Sequence, residues 1–418
     1  MKINLMNHSS SKLRIPISSY GDLNLIIDSA RESWCELFEM AVRKNNQKRN
    51  FLFVSKLLAK HIPIQPSVLF EACGSLVEQF NQGRKLQVNK DGRLICTNKT
   101  LVIGFAETAT AMGHAVFDYF EGDVNYVHTT RDSVKDARFA FEFKEEHSHA
   151  TEQLFFLQDE TWLKDAEEIL IVDDEVTTGK TIRNIIDEIE HYYPGKSYHI
   201  FTFLDWRNGE NTSAYKQYCK DQDVQINFYS LIRGEIGAIN IRSNMVGGHN
   251  ESDTNEYNAK ANGWQFHNCQ LPNDTALTAK NGINSQERGQ MQKAVNKIVA
   301  ILKPHLRGDK RSVIGTGEFM YVPMKCAENL SGSNFCNATT RSPIIPNNEE
   351  LYGIKKSLSF NAPYDANRVE YLYNINTQDC DEVVLFFEHT LVPNQIAGLL
   401  QALDKCAYSY KHVVFCKS

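Results

Sequence analysis

The sequence has no apolar run approaching the ~18 residues that cross a bilayer, so no membrane-spanning helix is expected. The opening MKINLMNHSS has no apolar core and does not read as an export signal. Ten cysteines are present without a CxxC pair or a zinc spacing. In a chain that is not exported they read as reduced thiols packed as small hydrophobes, and a cytoplasmic location is expected. Excess charge of one sign is also missing. A net charge of −6 and a pI of about 6.1 give no general attraction to nucleic acid or anionic lipid, so neither is expected as a partner. What remains is an ordinary globular mixture, 42% hydrophobic and 23% charged, and 418 residues allow two or three domains.

The chain is organised around residues 169–181, ILIVDDEVTTGKT. Ile169, Leu170, Ile171 and Val172 are apolar and three are β-branched, as in a strand covered on both faces. Asp173 and Asp174 are predicted where that strand ends. Thr177, Thr178 and Gly179 then leave backbone N–H groups open at a helix start, a ready anion site. Ile182, Ile185, Ile186 and Ile189 recur at i, i+3, i+4 and i+7 and give the helix one apolar face. Carboxylates repel phosphate, so the aspartates need another partner: vicinal ribose hydroxyls or a hydrated Mg2+. A ribose 5-phosphate satisfies both halves. GKT also matches the end of a Walker A loop, but that loop needs glycine where Asp174 stands. An ordinary strand–turn–helix with an acidic start is the plainer alternative.

Taken in order, residues 1–20 read as a loose arm. Residues 23–27 predict a short strand, and residues 29–42 a helix with Trp34, Leu37, Phe38 and Ala41 on one face. The basic run Arg43, Lys44, Lys48 and Arg49 is either a solvated loop or the rim of a polyphosphate site. Spacing alone makes Lys60 and His61 a helix C-terminus favoured by the dipole. Residues 66–80 predict a helix, 89–93 a polar hairpin, and 101–120 a strand, a tight glycine turn and a helix. Residues 126–134 form a strand running to Arg131. Within 139–156, EEHSHATEQ carries His147 and His149, an HxH that reads as a solvated loop or a metal pair. Residues 198–204 are another buried strand and 224–240 a strand pair. Strands alternating with helices imply an α/β domain over residues 21–242, built on a doubly wound parallel sheet. Ligands of such sheets sit at the carboxyl ends of the strands. Residues 243–284 are rich in Asn, Gly, Ser and Thr and read as a connector, with Trp264 and Phe266 pinned on a domain.

The last third, residues 285–418, restarts the pattern. A helix over 286–305 is followed by VIGTGEF, which parallels VIGFAET, and then by CNATTRSP, which parallels VHTTRDSV. Gly104 to Arg131 spans 27 positions and Gly315 to Arg341 spans 26. A second, smaller and degenerate α/β unit is therefore expected. It is read as carrying Phe386 and Phe387 in place of Asp173 and Asp174, and residues 390–394 without glycine in place of the anion loop. Glu318, Thr339, Thr340, Arg341 and Ser342 remain, so this unit either binds a phosphate or caps the first.

Residues 169–181 resemble the 5-phosphoribosyl-1-diphosphate (PRPP) motif of the type I phosphoribosyltransferases. TTRSP at residues 339–343 resembles the TRSP domain that accompanies a phosphoribosyltransferase domain in bacterial tellurite-resistance-associated gene clusters. FLFVSKLLAKHIP, VIGFAETATAMGH, EEHSHATEQ, FLDWR and GTGEF are similar to motifs of that family. The resemblance implies a pentosyltransferase that uses PRPP and Mg2+ to form an N-glycosidic bond to an unidentified base or amine. Diphosphate leaves, and the product is a nucleoside-like metabolite of a stress response. Roles are implied with it: Asp173 and Asp174 on the ribose hydroxyls, Glu175 as proton acceptor and Arg131 at the leaving group. Thr177, Thr178, Gly179, Lys180 and Thr181 would hold the 5-phosphate. Gly104, Phe105, Ala106 and Glu107 would form the diphosphate turn through backbone N–H groups. Lys60 and His61 are singled out at the site, and His147 and His149 join Arg131 in a lid. Mg2+ would be bound mainly through PRPP, without protein ligands. A homodimer is left open, and a non-catalytic PRPP-sensing or scaffold protein is the alternative.

Overall fold

The computed structural model describes residues 11–30, 33–44, 49–132, 134, 139–144, 152–241, 258–272 and 274–417. The first domain opens with a hairpin, β1 (Ser11–Pro16) and β2 (Gly21–Ala30). One helical turn, α1 (Trp34–Leu37), leads to a second hairpin, β3 (Phe38–Arg43) and β4 (Phe51–Ser55). Helix α2 (Pro66–Gln82), the short β5 (Leu94–Ile95), β6 (Thr100–Gly104) and α3 (Thr110–Asp118) follow. Then come β7 (Phe120–Glu121), β8 (Val124–His128) and a hairpin of β9 (Phe139–Lys144) and β10 (Glu152–Phe156). The turn α4 (Thr161–Lys164) precedes β11 (Glu168–Val176), α5 (Lys180–Tyr192), β12 (Ser197–Asp205), α6 (Gly209–Asp221) and β13 (Gln225–Ile241).

The main sheet runs β1-β2-β13-β12-β11-β6-β8. The five strands from β13 to β8 are parallel, and β2 and β1 add an antiparallel edge. β11 shows why it sits centrally. Leu170 and Val172 enter the core shared with α2 and α3, while Ile169 and Ile171 meet Ile182, Ile185, Ile186 and Ile189 of α5 on the other face.

Several sequence expectations change. Residues 11–16 of the predicted arm are the edge strand of the sheet. The helix expected over 29–42 is one turn followed by β3, because Phe38 must meet Phe53 and Trp206 edge-on across the hairpin, 5.0 and 5.7 Å between ring centres. Lys60 and His61 lie in a bent, non-helical segment. The strand pair expected over 224–240 is one long strand, Gln225–Ile241, broken by register shifts at Arg233/Gly234 and Ile236/Ile239, where it turns from β12 to β2. β11 continues through Asp173, Asp174 and Glu175 to Val176, since β12 pairs with it as far as Asp205.

The second domain contains β14 (Trp264–Leu271), β15 (Ile283–Asn284), α7 (Ser285–Leu302), β16 (Lys310–Gly315) and α8 (Tyr321–Glu328). β17 (Ser333–Ala338), the short β18 (Ile344–Ile345) and a hairpin of β19 (Ser357–Ala362) and β20 (Asp365–Tyr373) come next. β21 (Glu382–His389), α9 (Pro393–Asp404) and β22 (Tyr410–Lys417) complete it. Its sheet, β14-β22-β21-β16-β17, is wholly parallel. Trp264 is pinned there, its indole N–H donating to Asp404 at 3.0 Å.

The internal repeat is visible atom by atom. Ala106 N–H donates to Thr129 Oγ1 at 2.8 Å, and Gly317 N–H donates to Thr339 Oγ1 at 2.8 Å. Thr130 exchanges backbone bonds with Leu154 of β10, and Thr340 does so with Tyr371 of β20. The register also corrects one alignment. Gly104 pairs Val172, and Ile314 pairs Leu385, so Gly315 stands beside Phe386. The residues equivalent to Asp173 and Asp174 are thus Phe387 and Glu388.

The two units face each other across a pseudo-two-fold. The segment before α2 pairs with β17, through Ile64 and Cys336, while β15, just before α7, pairs with β8. Each unit covers the other's sheet edge, which leaves neither strand open to association. One hydrophobic core runs through α2, α3, α7 and α8, and His114 stacks on Tyr321 at 3.7 Å between ring centres. No helix among the described residues is long and apolar enough to cross a membrane.

Candidate active site

A cleft of about 430 Å³ opens over the carboxyl ends of β6 and β11. These neighbours lie where the strand order reverses, since β12 lies outside β11 and β8 outside β6. A crevice forms at such a switch point because the two connections leave in opposite directions.

Asp173 and Asp174 line the floor, with the Asp174 carboxylate accepting from Thr108 Oγ1 at 2.6 Å. Glu175 also lines it and receives Arg49 at 2.5 Å. Thr177, Thr178, Gly179, Lys180 and Thr181 form the adjoining wall at the start of α5. Gly179 has φ of +74°, the left-handed region open to glycine. Beneath it Tyr215 Oη donates to the Gly179 carbonyl at 2.5 Å, and Arg207, held by two bonds to Asp205, lies over the Tyr215 ring. The turn therefore rests on α6 and opens to the cleft.

Phe105, Ala106, Glu107 and Arg131 line the opposite side. Two of the amides expected in the diphosphate turn are already taken within the fold. Phe105 N–H donates to the Val172 carbonyl at 3.0 Å, and Ala106 N–H is taken by Thr129. Gly104 lies below the lining, where a Cβ would come within 2.9 Å of Tyr126 Oη, so its glycine serves packing. Lys60 is fully buried, paired with Glu107 at 2.5 Å and donating to the Gly317 carbonyl at 2.9 Å. Burial opposes ionisation of Glu107, but Lys60, Arg341 and Arg131 outweigh it and hold its carboxyl below the usual range. His61 does line the cleft, and burial, aided by Lys60, pushes its pKa down to about 3, so it is neutral at pH 7. His147 and His149 lie outside the described residues.

Sequence reasoning treated Arg43 and Arg49 only as a rim; both line the cleft, with Leu52, Phe53, Ser55 and Leu58 of the β4 region. It missed Arg368 and Val369 entirely, and offered Arg341 and Ser342 as part of a unit that either binds a phosphate or caps the first. These come from the second domain, and only the TTRSP motif marked any of them in the sequence. β18 adds to β3 and brings that domain to the cleft.

The second domain's equivalent site is occupied by the chain itself. The Lys280 ammonium, equivalent to Lys60, lies 3.9 Å from Glu318. Burial would depress its pKa, but Glu318 and Glu388 raise it above the usual range. Thr278 donates to Glu388 at 3.3 Å, and α9 begins with Pro393, which has no N–H for an anion.

Residues 37–235 match the family described as phosphoribosyl transferase, and residues 277–403 match the TRSP domain found C-terminal to it. Residues 37–235 thus belong to the phosphoribosyl transferase family, and residues 277–403 to the TRSP domain that follows it. No curated protein matches it. Among solved structures, adenine phosphoribosyltransferase of Rhodothermus marinus aligns at 13% identity over 47% of this chain and 94% of its own, with a TM-score of 0.29. The Trypanosoma brucei enzyme, solved with AMP, pyrophosphate and ribose-5-phosphate, aligns at 10% identity over 61% and 98%, with a TM-score of 0.34. The Leishmania tarentolae enzyme aligns at 12% over 47% and 83%, with a TM-score of 0.30.

Proposed function

We propose that the first domain transfers the 5-phosphoribosyl group of PRPP to a nitrogen of a base or amine, with release of diphosphate, to make a nucleoside-like metabolite of a stress response. The observation that carries the reading is one cleft wall on which the Asp173–Asp174 pair stands beside the left-handed Gly179 turn at the start of α5. The carboxylates accept the two ribose hydroxyls, and the amides and hydroxyls of the turn hold the 5-phosphate at the helix N-terminus. The anomeric carbon is then directed toward the side lined by Glu107 and Arg131. As the C1–O bond breaks, positive charge develops on the sugar and negative charge on the leaving diphosphate. Arg131 stabilises the latter, and fixed charge in a sheltered cleft does so without reorganising. The acceptor nitrogen attacks the opposite face and loses its proton. Glu175 is the candidate to take it, with Arg49 orienting its carboxylate.

Among the described residues no group of three or more His, Cys, Asp or Glu is arranged to cage a metal. The adjacent carboxylates of Asp173 and Asp174 suit a hydrated Mg2+ carried in on PRPP and would help hold it. When bound, that ion would offset charge on the diphosphate. The test is diphosphate release from PRPP in the presence of cell-extract metabolites, with mass spectrometry to find the acceptor. The Asp173→Asn/Asp174→Asn variant should retain its fold and lose turnover by at least a hundredfold. Unchanged turnover in that variant overturns the mechanism. PRPP binding without diphosphate release, across a broad panel of acceptors, would make the chain a sensor.

A further inference from the structure

We infer that the second domain completes the first domain's cleft within one chain, with Arg341 and Arg368 gripping the diphosphate end of PRPP. The inference rests on the phosphoribosyl reading above. Two of the backbone donors expected on the side where diphosphate would leave, the amides of Phe105 and Ala106, are already used. The cleft supplies guanidinium groups there instead, and two of them belong to the other domain.

These two arginines already hold an oxyanion. Arg341 Nη2 donates to both oxygens of Asp132 at 2.8 Å, and Arg368 Nη1 lies 3.8 Å from the same carboxylate. Arg341 also reaches to 3.9 Å from Glu107, on the turn itself. Arg368 Nε is buried with no hydrogen-bond partner among the described residues, and Glu370 fixes its outer nitrogen at 3.0 Å. Asp132 is 45% exposed, whereas the two arginine side chains are only 23% and 24% exposed. The carboxylate can therefore swing into water at little cost, while the guanidinium forks stay. A diphosphate carries more charge than one carboxylate and matches a fork with two parallel bonds. The exchange is reciprocal in form only. Glu318 accepts from Thr130 Oγ1 and Arg131 N–H, but Lys280 fills the second site, so the gift of arginines runs one way.

The test uses full-length Arg341→Gln/Arg368→Gln and calorimetry with Mg2+ and three probes: PRPP, inorganic diphosphate and ribose 5-phosphate. Affinity for PRPP and diphosphate should fall roughly ten- to hundredfold, the effect of removing charged hydrogen bonds, while ribose 5-phosphate binds within twofold of wild type. Equal loss on all three probes, or no loss, overturns the inference. Wild-type protein that binds none of them sinks the phosphoribosyl reading itself, which separates the two failures. Asp132→Asn frees the arginines without removing them and should bind diphosphate several-fold more tightly; weaker binding counts against the exchange. If the glutamine pair lowers the melting temperature, Arg341→Lys/Arg368→Lys keeps charge without the fork and should recover only part of the diphosphate affinity. Full recovery by lysine would show that no fork is used.

Discussion

At the residue scale, glycines at two turns have different reasons to be glycine. Gly104 is small because Tyr126 and the Ala109 carbonyl crowd it. Gly179 must also be left-handed, and a Cβ there would fall 2.5 Å from the Tyr215 ring. Gly179→Ala therefore adds a left-handed penalty of about 1 kcal/mol to a clash with a buried ring that cannot withdraw. Calorimetry should show ribose 5-phosphate binding weakened by at least tenfold, with diphosphate binding little changed. Equal affinity for ribose 5-phosphate would mean the turn does not hold the phosphate. Asp174 is equally constrained, since the Thr108 hydroxyl that donates to it comes from the loop after β6 and ties that loop to the carboxyl end of β11 across the switch point.

At the scale of elements, α5 links the core to the cleft. Its first turn lines the cavity, while Ile182, Ile185, Ile186 and Ile189 are at most 1% exposed against β11 and β12. Ile186→Ala should cost about 2–5 kcal/mol, the usual range for emptying a packed aliphatic site. Urea unfolding followed by circular dichroism checks this. Under conditions where the variant remains folded, affinity for ribose 5-phosphate should stay within a few-fold of wild type, because the N–H groups lie at the other end of the lever. The β3–β4 hairpin is a second such element. It brings Arg43 and Arg49 to the cleft and accepts β18 from the second domain on its free edge.

At the scale of the whole molecule, one chain builds what two copies would otherwise build: two related units, edges exchanged, a shared helical core and an open cleft lined by both. The same packing buries several imidazoles. Burial, with Lys60 beside it, lowers the His61 pKa to about 3. Burial with Arg84 lowers His199, and burial with His412 and His305 lowers His267, each to about 4 from an ordinary 6.5. Folded-state values below unfolded ones mean that the unfolded chain takes up protons first as pH falls. Stability should thus be flat above pH 7 and decline as pH drops through 6.5, continuing to about pH 4. Urea midpoints at pH 8, 7, 6 and 5 should show the fall confined to the last two. A midpoint that is constant from pH 7 to 5 would contradict the burial of these rings as neutral groups.

What the amino-acid sequence determined by itself was local and periodic. A run of four apolar residues, two acids, a threonine–glycine turn and isoleucines at helical spacing specify β11, α5 and the cleft wall between them, because each step depends on near neighbours. The repeat was legible for the same reason, from Val-Ile-Gly and Thr-Thr-Arg at like intervals. Tertiary structure decided everything that depends on a distant partner. Phe38 and Met40 became strand because Phe53 and Trp206 lie opposite, and the amides of Phe105 and Ala106 were claimed by Val172 and Thr129. Glu388, not Phe387, proved to be the counterpart of Asp174, because strand register follows pairing and not spacing alone. Arg341 and Arg368 reach the first domain's cleft only because the two units fold face to face and bring together residues more than 200 positions apart, Arg341 with Glu107 and Asp132.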